Sequence, residues 1–267
     1  MPSPWPPGVA EKLHIRTSGQ GPDLVLLHGW AMHSGIWGPL VDILSAEFRV
    51  NLVDLPGHGV NRHVPLSRDL HEVAGQILSR LPAAVWLGWS LGGLVTLAAA
   101  MLQPQKVHKA IMVAATPSFS WQPHWDCGVG DASQRAFSDG LDNNPEDTLA
   151  QFWLQCFGAG LVGESLRLLA KSSVTDDLPA SNDLQAGLHL LYSNDLSVRL
   201  DTCRVPALFL GGTRDRIIRA ESFTRAADLM PQADAHLIRA AGHAPFITHP
   251  GRFLDIMRGF VMGEKAA

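Results

Sequence analysis

The sequence predicts an α/β fold: a mostly parallel central sheet with helices on both faces, interrupted once by a helical insertion. Three observations carry that reading. Short apolar runs of strand length alternate with longer helical patterns through both ends of the chain. The alternation stops between Pro117 and about Leu200, where amphipathic helical patterns take over. A length of 267 residues, 46% of them hydrophobic, suffices for one large core and a small inserted lobe without help from a disulfide or a partner.

Strands are expected at Asp23–Leu27, Arg49–Val53, Ala84–Leu87, Lys109–Val113, Ala207–Leu210 and Ala235–Ile238. Runs such as Leu24-Val25-Leu26-Leu27 are apolar at every position, as a strand covered on both faces must be. Between them, Gly35–Ala46, Asp69–Leu81, Leu91–Leu102, Ala220–Leu229 and Arg252–Met262 carry helical spacing. The chain thus divides into a first core segment (1–116), an insertion (117–200) and a second core segment (201–267). Within the insertion, Pro145-Glu146-Asp147 marks a helix start. Leu149, Phe152, Trp153, Phe157 and Leu161 follow at helical spacing, and a second apolar stripe runs through Leu161, Leu166, Leu168, Leu169 and Val174. An insertion of this length is expected to be a lid over an active site.

Composition removes several function classes. A formal net charge of −4 provides no general attraction to nucleic acid or anionic lipid. Met1 to Gly8 is proline-rich without a basic segment leading into an apolar one, so it does not read as a secretory signal, and no run approaches a membrane span. Cys127, Cys156 and Cys203 cannot all pair and none has CxxC spacing, which fits reduced thiols in a cytoplasmic protein. No HxxxH pair occurs on a helix, so no metal site is expected.

The chemistry concentrates at Gly88-Trp89-Ser90-Leu91-Gly92, between an apolar strand and a helix. A nucleophile held at a strand-to-helix elbow occupies strained backbone, so small residues must flank it two places away on either side. The helix that follows aims its free amides at the site, making Leu91 the first oxyanion donor. The second is expected from the loop after an earlier strand, at Trp30 in Leu27-His28-Gly29-Trp30. His243, in Gly242-His243-Ala244-Pro245, is the candidate base on a loop after a late strand. Its rivals are His28, better suited to holding its own loop, and His249, which precedes Pro250 in a capping or surface position. Asp215, in the loop after a strong strand, is the candidate acid, with Asp201 and Asp195 as structural alternatives. The order Ser90, Asp215, His243 suits a strand-elbow serine hydrolase.

With those residues in place, the chain resembles the pimeloyl-acyl-carrier-protein methyl ester esterases of the α/β-hydrolase superfamily. The stretches LVLLHGWAMHSGIW, VNLVDLPGHG, WLGWSLGGLV, GGTRDRIIR and AAGHAPFITHPGRF carry the resemblance, which weakens across the insertion. Trp89 and Trp30 are its more specific marks. The resemblance implies an α/β-hydrolase fold, methyl ester hydrolysis without a cofactor, and acyl-carrier protein as the partner presenting the substrate. It also implies that Trp30, Ser90, Leu91, Phe152 and His243 surround the acyl chain or its ester, in a protein expected to be monomeric. One departure stands out: such esterases dock the carrier on lid arginines, whereas Arg135, Arg167 and Lys171 are the obvious positive charges here. Three other readings stay open: an esterase or carbon–carbon hydrolase acting on free small molecules, a lyase of menaquinone synthesis, and a non-catalytic relative serving as a binding module.

Overall fold

Seven strands form one sheet in the order β1-β3-β2-β4-β5-β6-β7 in the computed structural model, which describes residues 13–157 and 178–263. The strands are β1 (Ile15–Ser18), β2 (Asp23–Leu27), β3 (Arg49–Val53), β4 (Ala84–Trp89), β5 (Val107–Val113), β6 (Ala207–Gly212) and β7 (Ala233–Ile238). Only β1 pairs antiparallel, with β3; every other pairing is parallel. The second apolar stripe, Leu161 to Val174, lies outside the described residues, as do Arg167 and Lys171.

Side-chain alternation along the strands splits the core in two. Val25, Leu27 and Trp86 point to one face, where α2 (Leu70–Leu78), α3 (Leu91–Leu102) and α7 (Ala220–Leu229) close over them. Leu24, Leu26, Val85 and Leu87 point to the other, under α1 (Gly38–Ser45) and α9 (Pro250–Met262). Strands buried on both faces cannot show polar alternation, hence the continuous apolar runs.

Several expected elements shift at their ends. The span expected as one helix from Gly35 is a 3-10 turn, Ser34–Trp37, leading into α1. Asp69 caps α2 instead of joining it, accepting from the amides of His71 and Glu72. The edge strand β1 and the short α8 (Pro245–Thr248) were not expected. Between β5 and β6 lie α4 (Asp131–Asn143), α5 (Pro145–Phe157) and α6 (Ser181–Ser193), with isolated bridges such as Ser118 to Asp195. The start at Pro145 is where proline and acids place it; α4 and α6 were not expected.

The topology also fixes where a ligand can approach. The chain leaves β2 for β3 on one side, then crosses back to β4 on the other, so the loops after β2 and β4 part at their carboxyl ends. Such a switch point opens a crevice in the sheet's upper edge.

Candidate active site

Ser90 sits at that crevice, in the turn from β4 to α3, with φ 54° and ψ −117°. A non-glycine residue held there costs about 1–3 kcal/mol, which surrounding structure must offset. Its amide donates to Val113 O at 2.9 Å, and its carbonyl accepts from Gly93 and Leu94 to open α3. The turn closes so tightly that a Cβ on Gly88 would lie 2.0 Å from Gly92 O, and one on Gly92 2.5 Å from Leu27 O and His28 O. Neither position admits a larger residue. Ser90 is 4% exposed.

His243 comes from the loop after β7, which is bound to the elbow through Trp89. Its Nδ1 is 2.9 Å from Asp215 Oδ2, both side chains are fully buried, and its Nε2 has no hydrogen-bond partner among the described residues. Asp215 is anchored through its other oxygen, Oδ1, which accepts from the amides of Ile217 (2.8 Å) and Ile218 (3.0 Å). The carboxylate is therefore aimed, with one edge on the backbone and one on the imidazole. Trp89, beside Ser90 in the elbow, donates its indole N–H to His243 O at 2.8 Å and packs on the imidazole and Phe246. That bond ties the histidine loop to the serine turn across 154 residues. The sequence singles out Trp89 but gives no hint of this task.

The rival residues go elsewhere. Asp195 accepts from Ser197 and pairs with His124; Asp201 lends only its carbonyl, to Arg204. His249 occupies the N-cap position of α9, yet its ring bonds to Thr248 Oγ1 and does not cap. His28 is fully buried: Nε2 accepts from Leu55 N at 2.9 Å, so Nδ1 carries the proton and donates to Gly29 O at 2.8 Å. Both nitrogens are thereby occupied in joining the loops after β2 and β3. Burial, with the neighbouring His58 adding to it, pushes the His28 pKa from 6.5 to about 3. His58 is also shifted down by burial.

A stability prediction follows from those two histidines. Each binds its proton more weakly folded than unfolded, so below the unfolded value of 6.5 the unfolded chain takes up protons that the folded chain refuses. Their contribution is complete above pH 6.5 and drains away as pH falls toward about 3. The urea midpoint should decline through that window, and His28→Gln should flatten the slope while lowering stability at pH 8. An unchanged slope in the variant would remove His28 as a cause.

A cavity of about 340 Å³ opens beside Ser90, within the usual range of small-ligand sites. Trp30, Ser90, Phe119, Leu188 and Leu191 form its buried floor, while Ser133, Gln155 and Arg216 stand where it meets solvent. Phe152 and Phe137 meet Trp30 edge-on at 5.0 and 5.5 Å between ring centres. Trp30 also donates its indole N–H to Leu184 O of α6 at 2.8 Å, fastening the insertion over the end of β2. Of the residues expected around an acyl chain, Trp30, Ser90 and Phe152 line this cavity; Leu91 and His243 are fully buried behind it. The amides of Trp30 and Leu91 make no hydrogen bond among the described residues. Cys156 lies on α5 close to this centre, and burial followed by the charge of Asp215 holds its thiol well above the usual range.

Fold, switch-point crevice and serine elbow define the chain's class: it belongs to the alpha/beta hydrolase family, whose profile matches residues 24–256. Within that class it is 40% identical over 250 residues to a pimeloyl-[acyl-carrier protein] methyl ester esterase of Xanthomonas campestris pv. campestris (strain B100), covering 93% of this chain and 98% of that one. A protein of the same name from Stenotrophomonas maltophilia (strain K279a) is 41% identical over 256 residues, covering 96% and 98%. The chain is thus a carboxylic ester hydrolase of that esterase family. Among solved structures, a hydrolase from Oleispira antarctica superposes with a TM-score of 0.84 over 94% of this chain and 95% of that one, at 19% identity, a likeness of fold alone.

Proposed function

We propose that the chain hydrolyses the methyl ester of a pimeloyl group carried on acyl-carrier protein, a step of biotin synthesis, and that Ser90, His243 and Asp215 perform it beneath a lid formed by residues 117–200. The substrate follows the names of the relatives; the catalytic roles follow the geometry. The observation that carries them is the buried His243–Asp215 bond, which leaves Nε2 without a partner at an elbow holding Ser90 in strained backbone.

In this reading Asp215 accepts a hydrogen bond from the Nδ1–H of His243, so the lone pair sits on Nε2 and faces the serine. Ser90 Oγ attacks the ester carbonyl as Nε2 takes its proton. The carbonyl oxygen, now negative, accepts from the free amides of Trp30 and Leu91 at the positive end of α3. Methoxide leaves with the proton from Nε2 as methanol, and an acyl-Ser90 ester remains. Water then gives a proton to Nε2 and its oxygen to the acyl carbon; Ser90 recovers its proton, and a free carboxylate leaves on the carrier. The chemistry needs no cofactor. Apolar walls from Trp30, Phe137, Phe152 and Leu188 would hold the methylenes, each worth about 0.8 kcal/mol when buried.

One observation favours a second reading, an esterase for free small molecules. The described helices α4 and α5 carry Asp131, Asp139, Asp142, Glu146 and Asp147 against Arg135 alone, a poor match to an acidic carrier. A biotin auxotroph lacking its own methyl ester esterase separates the two. The wild-type gene should restore growth without biotin, and the Ser90→Ala gene should not. Failure to rescue by a chain that hydrolyses free methyl esters in extract would sink the carrier-bound reading.

A further inference from the structure

We infer that an acidic carrier protein docks on the arginine-bearing loops after β6 and β7, beside the cavity mouth, and not on α4 and α5; this rests on the carrier-bound reading above. The mouth is bounded by Ser133 of α4, Gln155 of α5 and Arg216, and Arg216 is the charged one of the three. It belongs to the loop between β6 and α7, which also exposes Arg214 and Arg219. The loop after β7 adds Arg239, also exposed, and the two loops are bound together: Ala240 N donates to Thr213 Oγ1 at 2.9 Å, and Arg214 N to Ala241 O at 2.8 Å. Arg219 reaches across to the insertion, donating to Asp126 O at 3.0 Å, close in sequence to Val129 of the cavity wall.

The acids near these loops do not cancel that charge. Asp215 is buried against His243, Asp126 is paired with Arg225, and Glu221 lies 3.8 Å from Arg219 with both side chains exposed. Arg214, Arg216 and Arg239 form no ion pair among the described residues. Their side chains are uncommitted: Arg216 borders the opening through which an acyl arm must enter, Arg214 lies two residues before it in the same loop, and Arg239 is on the loop bound to that one. The helices that supply Ser133 and Gln155 to the mouth, α4 and α5, carry five carboxylates and one arginine along their length. A negatively charged partner is therefore favoured on the side of the β6 and β7 loops over the side of α4 and α5.

The test compares kcat/KM for the methyl pimeloyl group on acyl-carrier protein, on coenzyme A and as a free methyl ester. In the double variant Arg214→Glu, Arg239→Glu, the carrier-bound rate should fall roughly tenfold or more relative to the free ester, with a reduced salt dependence. The corresponding Lys pair should retain docking, and Arg135→Glu should change the ratio by less than about twofold. The free ester, read on the same preparation, reports whether the site is intact. Equal loss on all three substrates would place these arginines in the catalytic scaffold and overturn the docking surface. Equal loss on the carrier and coenzyme A forms alone would mean that the loops read the phosphate of the arm and not the protein. A large effect of Arg135→Glu with none from the loop pair would return docking to the lid. If the unmutated enzyme shows no preference for the carrier, the functional reading itself fails, and it does so before any arginine is changed.

Discussion

Ser90→Ala should abolish ester hydrolysis, lowering kcat by roughly 10^6, while leaving the fold and its melting temperature essentially unchanged. The size of the loss reflects the proposed reaction, in which the two other candidates nearby among the described residues are occupied or inert: Asp215 is anchored on the Ile217 and Ile218 amides and His243, and the Cys156 thiol is buried and held protonated. The fold should survive because the bonds that shape the elbow come from the Ser90 backbone, through Val113 O and the amides of Gly93 and Leu94, and alanine keeps all three. What alanine removes is Oγ alone. Turnover of a methyl ester and labelling by a fluorophosphonate probe should disappear together. Activity above a few per cent, with labelling retained, would put the nucleophile at another residue.

How much of this could be read from the sequence depends on which contacts are local. Strands β2 and β3 have the bounds that the sequence predicts, Asp23–Leu27 and Arg49–Val53, because beyond the first residue of each nearly every side chain is apolar and buried. Strand β1 escaped notice for the opposite reason. It lies on the edge, pairs only with β3, and spells Ile-Arg-Thr-Ser, a pattern that any exposed loop could share. Ser90 and its flanking glycines are legible because strand, turn and helix are contiguous, so the steric demand appears within five residues. The task of Trp89 is not legible, since its partner, the carbonyl of His243, is 154 residues away and a carbonyl leaves no mark on residue type. The same holds for Trp30 and Leu184, and for Asp183 of α6, whose carboxylate receives Leu66 N from the loop ahead of α2. The charge of the insertion was legible as letters, and its shortage of arginines with it. The arginines after β6 were equally visible as letters, but only the sheet order brings their loop against the one bearing Arg239, and only the fold sets Arg216 at the cavity mouth.

Asp215→Asn should lose about 10^4 in kcat with little change in stability, although the substitution exchanges one oxygen for one nitrogen. The structure dictates which way the new amide turns. Oδ1 of Asp215 accepts from Ile217 N and Ile218 N, so asparagine must keep its carbonyl there to avoid setting donors against donors. Its NH2 then faces His243 Nδ1, where Oδ2 had accepted. A donor in that place forces Nδ1 to accept, and the single proton of the neutral imidazole moves to Nε2. The histidine keeps its position, its Trp89 bond and its burial, yet its Nε2 then carries a proton in place of the lone pair that the proposed mechanism requires. Asp215→Ala, which leaves the imidazole free to choose its tautomer, should therefore be no worse than Asp215→Asn despite removing more atoms. Asp201→Asn and Asp195→Asn should stay within a few-fold of wild type, since neither carboxylate touches His243. Proton NMR of the imidazole N–H resonances would report the tautomer directly, with the Nδ1 proton present in the wild type and missing in Asp215→Asn. A near-normal rate in Asp215→Asn, together with a dead Asp201→Asn, would show that the orienting acid lies ahead of β6 and that the buried pair seen here is structural.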